Sequence, residues 1–361
     1  KEYPSKEGTA AYPKKVFKNK KTQLLVNGLI VFGYTSLFCV YSLSAGNYFG
    51  DFINKSDMKK KIASLVVASC TLLSFMPATL FNKLQTGFVS TKLIVLLMII
   101  VIGFVKGKDI PNALVQSPMS GGGDVKDKLK AMMDSLSVFV TYEGFEMNSG
   151  YSSSMKNPNV NIPNSYFMTI LTGAAVYIGL SVVTNRFIGG QITKENSASS
   201  LIELVKSYGF TKYGPMTVVA TNMIANVSAN IATIGALESI VNNYVEDLGM
   251  EKSVLNKNVT LMGNSKSVAV LLTCVVSILA IMFGPEKLVT NSGSLSFLLI
   301  FTLVCLMTYM TVDKKEKGKE KITIYNKEMN YKLCKLVSVM GMVLCSSGFG
   351  KLIYDIKSGK N

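Results

Sequence analysis

The sequence predicts an all-α polytopic membrane protein, and three observations carry that prediction. Of 361 residues, 48% are hydrophobic and only 17% are charged. The apolar residues are gathered into runs of membrane-spanning length, whereas a soluble chain spreads them at helix or strand period. Lysines, which give a net charge of +16, sit mainly in the stretches between those runs. A soluble chain so basic would suggest nucleic acid; here the bias of basic loops toward the cytoplasmic face explains the charge, and no nucleic-acid partner is expected.

Residues 1–22 form a polar, lysine-rich juxtamembrane loop on the cytoplasmic side, punctuated by Tyr3-Pro4 and Gly8. The transmembrane region, 23–355, opens with a span at 24–49 that is rich in aromatics (Phe32, Tyr34, Phe38, Tyr41, Tyr48) and in small residues that let helices approach closely. Such a stripe is more often packing than a ligand wall. The next loop carries the sequon Asn54-Lys55-Ser56, and spans follow at 62–80 and 86–105. Lys92 is the one charge inside the latter. It either snorkels to the inner interface or neutralises something within the bundle.

The segment 106–134, with Pro111, Pro118 and Gly121–Gly123, is too long for a turn and lies on the outer surface. A span at 166–184 leads into a second outer segment, 186–212, in which 198–208 has helical period but is too short to cross. The run 215–240 is unusually polar, with Thr221, Asn222, Asn226, Ser228, Asn230 and Thr233. These residues serve equally well as interhelical glue or as the lining of a substrate path. Spans at 267–283 and 295–311 flank a turn at 285–294, a lysine-dense loop occupies 313–332, and a last span runs to about residue 354, before the tail 356–361. With the interrupted stretch described next, that makes about nine transmembrane helices.

Six cysteines fall inside apolar runs without CxxC spacing and read as small buried hydrophobes. His is absent, which removes imidazole relays and the commonest metal ligand, so no cofactor is expected. Neither a nucleophile–base pair nor a metal cluster stands out, and an enzyme is the least supported class.

The stretch with chemistry is 139–163, FVTYEGFEMNSGYSSSMKNPNVNIP. An apolar run meets Glu143 and Glu146 around Gly144 and dissolves into Ser, Gly and Asn. Acids at that depth are costly unless they line a cavity, and a helix breaks in a bilayer only where it is buried in protein or faces water. A half-helix end leaves free backbone groups and a dipole that can hold a charged ligand. On this reading Tyr142 and Phe145 are aromatic walls, the backbone at Gly144 accepts an ammonium, and Glu146 anchors the geometry or carries a proton. The bland reading is that both acids mark the mouth of an ordinary span.

Tyr142, Gly144-Phe145-Glu146, Lys156-Asn157-Pro158 and Asn161-Ile162-Pro163 together resemble the sixth transmembrane helix and following loop of the amino acid–polyamine–organocation permeases. Tyr3-Pro4, Gly8 and Ala11-Tyr12 look like the loop before their third helix. Residues 84–105 are similar to the fifth helix, with Lys92 where proton-coupled members carry a lysine, and 293–301 resembles the start of the tenth. The resemblance implies a LeuT-like fold of five-plus-five inverted repeats, with amino acid or amine substrate held between the broken first and sixth helices and protons as coupling ion. It also implies that the chain lacks the first two helices and the last, so that a complete substrate site is not expected from these residues alone. Lys1 in place of an initiator Met agrees with a start part-way into a longer protein.

Two departures stand out. Residues 235–249 carry Glu238, Glu246 and Asp247 where the family's eighth helix ends in arginine, and Glu143 is an extra acid. Glu143 marks a cationic substrate or pairs with Lys92. The expected function is therefore secondary active transport in a multi-pass membrane protein surrounded by lipid. The alternative is a degenerate or truncated permease acting as a sensor or interaction protein.

Overall fold

The computed structural model describes residues 11–107, 144, 155–188, 200–250, 252–262, 264–324 and 327–358. Among them the helices are α1 (Ala11–Val16), α2 (Lys20–Phe52), α3 (Lys59–Leu73), α4 (Ala78–Lys106), α5 (Pro158–Ile188), α6 (Ser200–Ser207), α7 (Tyr213–Asp247), α8 (Val268–Phe283), α9 (Glu286–Gly318) and α10 (Tyr331–Lys357). Two short antiparallel hairpins, β1–β2 (Asn258–Leu261 with Asn264–Ser267) and β3–β4 (Thr323–Ile324 with Lys327–Glu328), lie before α8 and α10. Six of the described helices, α2, α4, α5, α7, α9 and α10, are long and apolar enough to cross a membrane.

The all-α polytopic class holds, with boundaries moved by local chemistry, and residues 108–134 of the expected outer segment lie outside the described residues. The run 62–80 does not continue as one helix: α3 stops at Leu73 and Pro77 caps the start of α4. Proline has no N–H to donate and biases the residue before it away from helical angles, so the chain turns there. The carbonyls of Ser74 and Met76 at this break accept from Asn264 Nδ2 at 3.3 and 3.5 Å, which gives hairpin β1–β2 a role the sequence did not announce. Helix α5 starts at Pro158, eight residues before the expected Tyr166, because Asn157 takes a positive φ of 44° and Pro158 suits a first helical turn. Helix α9 likewise begins at Glu286, inside what reads as a turn.

Helix α2 is central. It is apolar on all sides and packs on α3, α7, α8 and α9, and its buried residues join theirs in one core that includes Phe38, Leu37, Ile234, Leu237, Val270 and Phe297. Of its aromatic stripe, Tyr34 and Phe38 are buried, and Tyr34 meets Phe297 edge-on at 5.5 Å between centroids. Small residues set the approach of α3. A Cβ on Gly46 would stand 2.3 Å from the Lys59 carbonyl oxygen and 3.0 Å from the Cβ of Ala63. Cys39, Cys70 and Cys274 are buried where α2, α3 and α8 meet, as their apolar context suggests.

A second core joins α4, α5, α6 and the start of α7 through Ile99, Val183, Leu204, Val205 and Val218. The expected short surface helix is α6. Ile202, Leu204 and Val205 point inward, and Tyr208 donates to the Ile99 carbonyl at 3.3 Å and stacks edge-on with Phe187. Burial pushes the Tyr208 phenol up to about 12, so it remains a neutral donor.

Paired residues fix the direction of each helix. Asn27 meets Asp247 and Asn226 meets Ser44, so α2 and α7 are antiparallel. Asn47 meets Glu286 while Ser36 meets Ser292, so α9 also runs against α2. Ile100 lies against Gly179 and Val183 against Gly103, so α4 and α5 run parallel. The bundle therefore has an α1 end and an α6 end. Helix α4 finishes at the α6 end, and α5 starts from the opposite one.

The Gly46 contact yields a direct test. Gly46→Ala is expected to cost about 2 kcal/mol, since backbone must shift to admit a methyl group, whereas Gly87→Ala, with open space around it, gains about 0.5–1 kcal/mol from helix propensity. A thiol-reactive dye followed during heating reads both, as the buried cysteines become accessible.

Candidate functional site

Helix α4 presents Gln85, Phe88, Lys92, Val95 and Ile99 at the three- and four-residue spacing of a single face. That face is turned toward the bundle: Gln85 Nε2 donates to the Ser228 carbonyl of α7 at 3.0 Å, and Phe88, Val95 and Ile99 pack into the two cores. Lys92 is half-buried between them. It lies 14 residues from either end of the 29-residue helix, about 21 Å along the axis. Among the described residues Lys92 has no hydrogen-bond or ion-pair partner, and Gln85 Oε1, two turns away, is buried and likewise unpartnered.

Of the residues expected around the broken helix, Gly144 is described; Tyr142, Glu143, Phe145 and Glu146 lie outside the described residues. Gly144 has φ +105° and nothing within 4 Å of where a Cβ would sit. Right-handed helix cannot continue through that angle, and glycine is the residue that adopts it without strain.

The polar residues of α7 divide by direction. Asn230, fully buried, donates to Ser42 Oγ of α2 at 2.9 Å, and the Ser42 hydroxyl donates in turn to the Phe38 carbonyl. Asn226 reaches Asn222 Oδ1 at 2.8 Å and Ser44 Oγ at 3.4 Å. This row is interhelical glue between α2 and α7. Asn230 Oδ1 is buried without a partner among the described residues. Lower on α7, Glu238 Oε2 receives Lys266 Nζ from β2 at 2.5 Å, and Asn242 Oδ1 accepts from Ser267 at 2.6 Å. Lys266 is 6% exposed, so the pair holds the hairpin onto α7.

Residues 1–357 match the family model for amino acid permeases. The chain belongs to the amino acid permease family. It is similar to the inner membrane transport protein YbaT of Escherichia coli (strain K12), 21% identical over 307 residues that cover 84% of this chain and 68% of the relative. It also resembles the uncharacterized protein MJ0609 of Methanocaldococcus jannaschii, 23% identical over 315 residues, covering 82% and 66% respectively. The permease assignment makes it a multi-pass integral membrane transporter, rather than an enzyme, of a family that moves amino acids.

Two permease features escaped the sequence reading. Gln85 carries a signal that was available, its seven-residue spacing from Lys92, which sets both on one face of α4. The Glu238–Lys266 pair had no local signal, because its members come together only when β1–β2 folds back on α7.

The α2–α7 seam predicts an asymmetry between two substitutions. Asn230→Asp places a carboxylate in a buried seam beside neutral groups such as Ser42 and is expected to cost about 3 kcal/mol more than Asn230→Leu, which removes an orphan oxygen together with its hydrogen bonding. Thermal unfolding of the two purified variants in detergent reads the difference.

Proposed function

We propose that this permease carries amino acids or related amines by secondary active transport coupled to protons. The observation that carries the reading is Lys92: a cation ten residues into the 82–106 span, on the face of α4 that is turned inward, with no counter-charge among the described residues. A structural lysine in such a place keeps an acid beside it, as Lys266 does. A lysine that takes up and releases a proton through the cycle needs instead to be free of a fixed partner. The family resemblance assigns the same position to coupling.

The substrate half of the reading rests on Gly144. A positive φ at this point ends a right-handed helical run, and on this reading the backbone at Gly144 accepts a substrate ammonium, with Tyr142 and Phe145 as walls, Glu143 favouring a cationic substrate, and Glu146 as a second proton carrier. The five-plus-five repeat and a first helix facing Gly144 belong to the same proposal, with lipid around the outward apolar faces of α4, α5 and α10.

The test is uptake of labelled amino acids by the full-length protein in liposomes under an imposed proton gradient. Lys92→Ala and Glu146→Gln are each expected to abolish gradient-driven accumulation, a loss of at least about 100-fold, while substrate-for-substrate exchange survives in Lys92→Ala. Accumulation unchanged in both variants would remove the coupling assignment. A wild-type protein that binds amino acid without moving it would favour the sensor reading.

A further inference from the structure

Hairpin β1–β2 has two unlike faces. Side chains alternate along a strand, and residues paired across an antiparallel ladder lie on the same side. On one face Thr260 and Ser265, paired in the register, meet through their hydroxyls at 2.7 Å. The other face carries Val259 opposite Lys266 and Leu261 opposite Asn264. This second face is the docked one, since Asn264 reaches the carbonyls at the α3–α4 break and Lys266 reaches Glu238 of α7. Val259 and Leu261 nevertheless stay 42% and 44% exposed. They belong to the outer strand, so they point the way the docked residues point but pass beyond the edge of the bundle.

The helices on either side indicate what lies past that edge. Ser267, the last residue of β2, is the N-cap of α8, while Asn264 at the other end of β2 meets the end of α3. The hairpin therefore crosses from the start of α8 to the end of α3. Near those ends α8 presents Leu272 and α3 presents Leu72, both half-exposed. Outward leucines on the helices of a multi-pass membrane protein face acyl chains. Val259, Leu261 and the exposed Met262 of the turn continue that apolar surface to its border. Lys252 and Lys257, just before β1, are exposed, and neither side chain has a hydrogen-bond or ion-pair partner among the described residues. Apolar residues with free lysines beside them suit a bilayer interface, where the former enter the lipid and the latter meet phosphates.

We propose that hairpin β1–β2 anchors the α1 end of the bundle to the bilayer surface. Val259, Leu261 and Met262 rest at the acyl-chain border, and Lys252 and Lys257 bind the headgroups of anionic phospholipids. The backbone sets the depth: among the described residues β1 pairs with β2 alone, and its outer N–H and C=O groups need the water and headgroup oxygens that hydrocarbon lacks. Through Asn264 and Lys266 the same hairpin holds the α3–α4 break and α7, so lipid attachment fixes their level in the membrane. The inference concerns a lipid contact and holds whatever the permease carries.

The chain contains no tryptophan, so a tryptophan introduced in the full-length protein is read as the difference from wild type. The experiment compares Leu261→Trp with its neighbour Thr260→Trp, on the opposite face, in vesicles of phosphatidylcholine and phosphatidylglycerol. With acyl chains brominated near the headgroup, the indole of Leu261→Trp is expected to be quenched at least about two-fold more than that of Thr260→Trp, and aqueous iodide is expected to reverse the order. Equal quenching at the two positions overturns the anchor. So does an indole at position 261 shielded from iodide and untouched by brominated lipid, which means that protein covers this face. Adding Lys252→Gln and Lys257→Gln is expected to lower lipid quenching of Leu261→Trp to its value in phosphatidylcholine alone, and unchanged quenching overturns the headgroup contact. Should that variant not fold, about 1 M salt on the unaltered lysines is expected to give the same loss, and quenching that ignores salt overturns the contact.

Discussion

A hydrocarbon interior supplies no hydrogen bonds, so every polar group carried into it must be met by another part of the chain. The contact between α2 and α7 is where this requirement is most demanding and where the rest of the bundle takes its reference. Asn226, Asn230, Ser42 and Ser44 would each be costly facing lipid, and they face one another. Because they pair in register from Asn226–Ser44 to Asn27–Asp247, rotation or sliding of either helix would strand several amides at once. Helices α3 and α8 then fill one side of the seam and α9 another, through apolar contacts that are less particular about register.

The same requirement accounts for how the chain handles its interruptions. The break at Ser74–Pro77 frees carbonyls, and Asn264 meets them from the following hairpin. Helix α8 ends at Phe283, and Lys60 Nζ donates to the Met282 and Gly284 carbonyls at 3.4 and 2.8 Å, as suits a cation at a helix C-terminus. In both places the partner comes from an element more than 180 positions away. The breaks are therefore held by tertiary structure, and they persist only while the surrounding helices are in place.

Much of this could be read in the sequence wherever one residue type decided the matter locally. Runs of apolar residues marked the spans, the polarity of α7 marked a seam, and the periodic stretch at 198–208 marked α6. Boundaries were less legible because they depend on single turns: Pro77 splits an apolar run that hydropathy treats as continuous, and Asn157–Pro158 starts α5 inside a stretch that reads as loop. Contacts built from distant parts, Gln85 with Ser228 or Lys14 with Asp247, had no local signature; their members are common surface residue types until the fold brings them together.

Two lysines show why local type alone cannot assign role. Lys266 is buried in the polar strand β2, and Lys92 is half-buried on the long helix α4. Lys266 reaches the protein interior on a hairpin whose partner, Glu238, arrives with α7, so its charge is neutralised by the fold and contributes to holding it. Lys92 enters on a helix whose neighbours at that level are Phe88, Val95 and the amide Gln85, and none of these can neutralise it. An uncompensated cation in such a place costs several kcal/mol, which a purely structural residue would not retain without a compensating contact. On the reading proposed above, Glu143 and Glu146 flank Gly144, whose φ of +105° ends a right-handed helix, and a mobile proton or a cationic substrate is what would balance them against Lys92 where a static pair leaves one acid over.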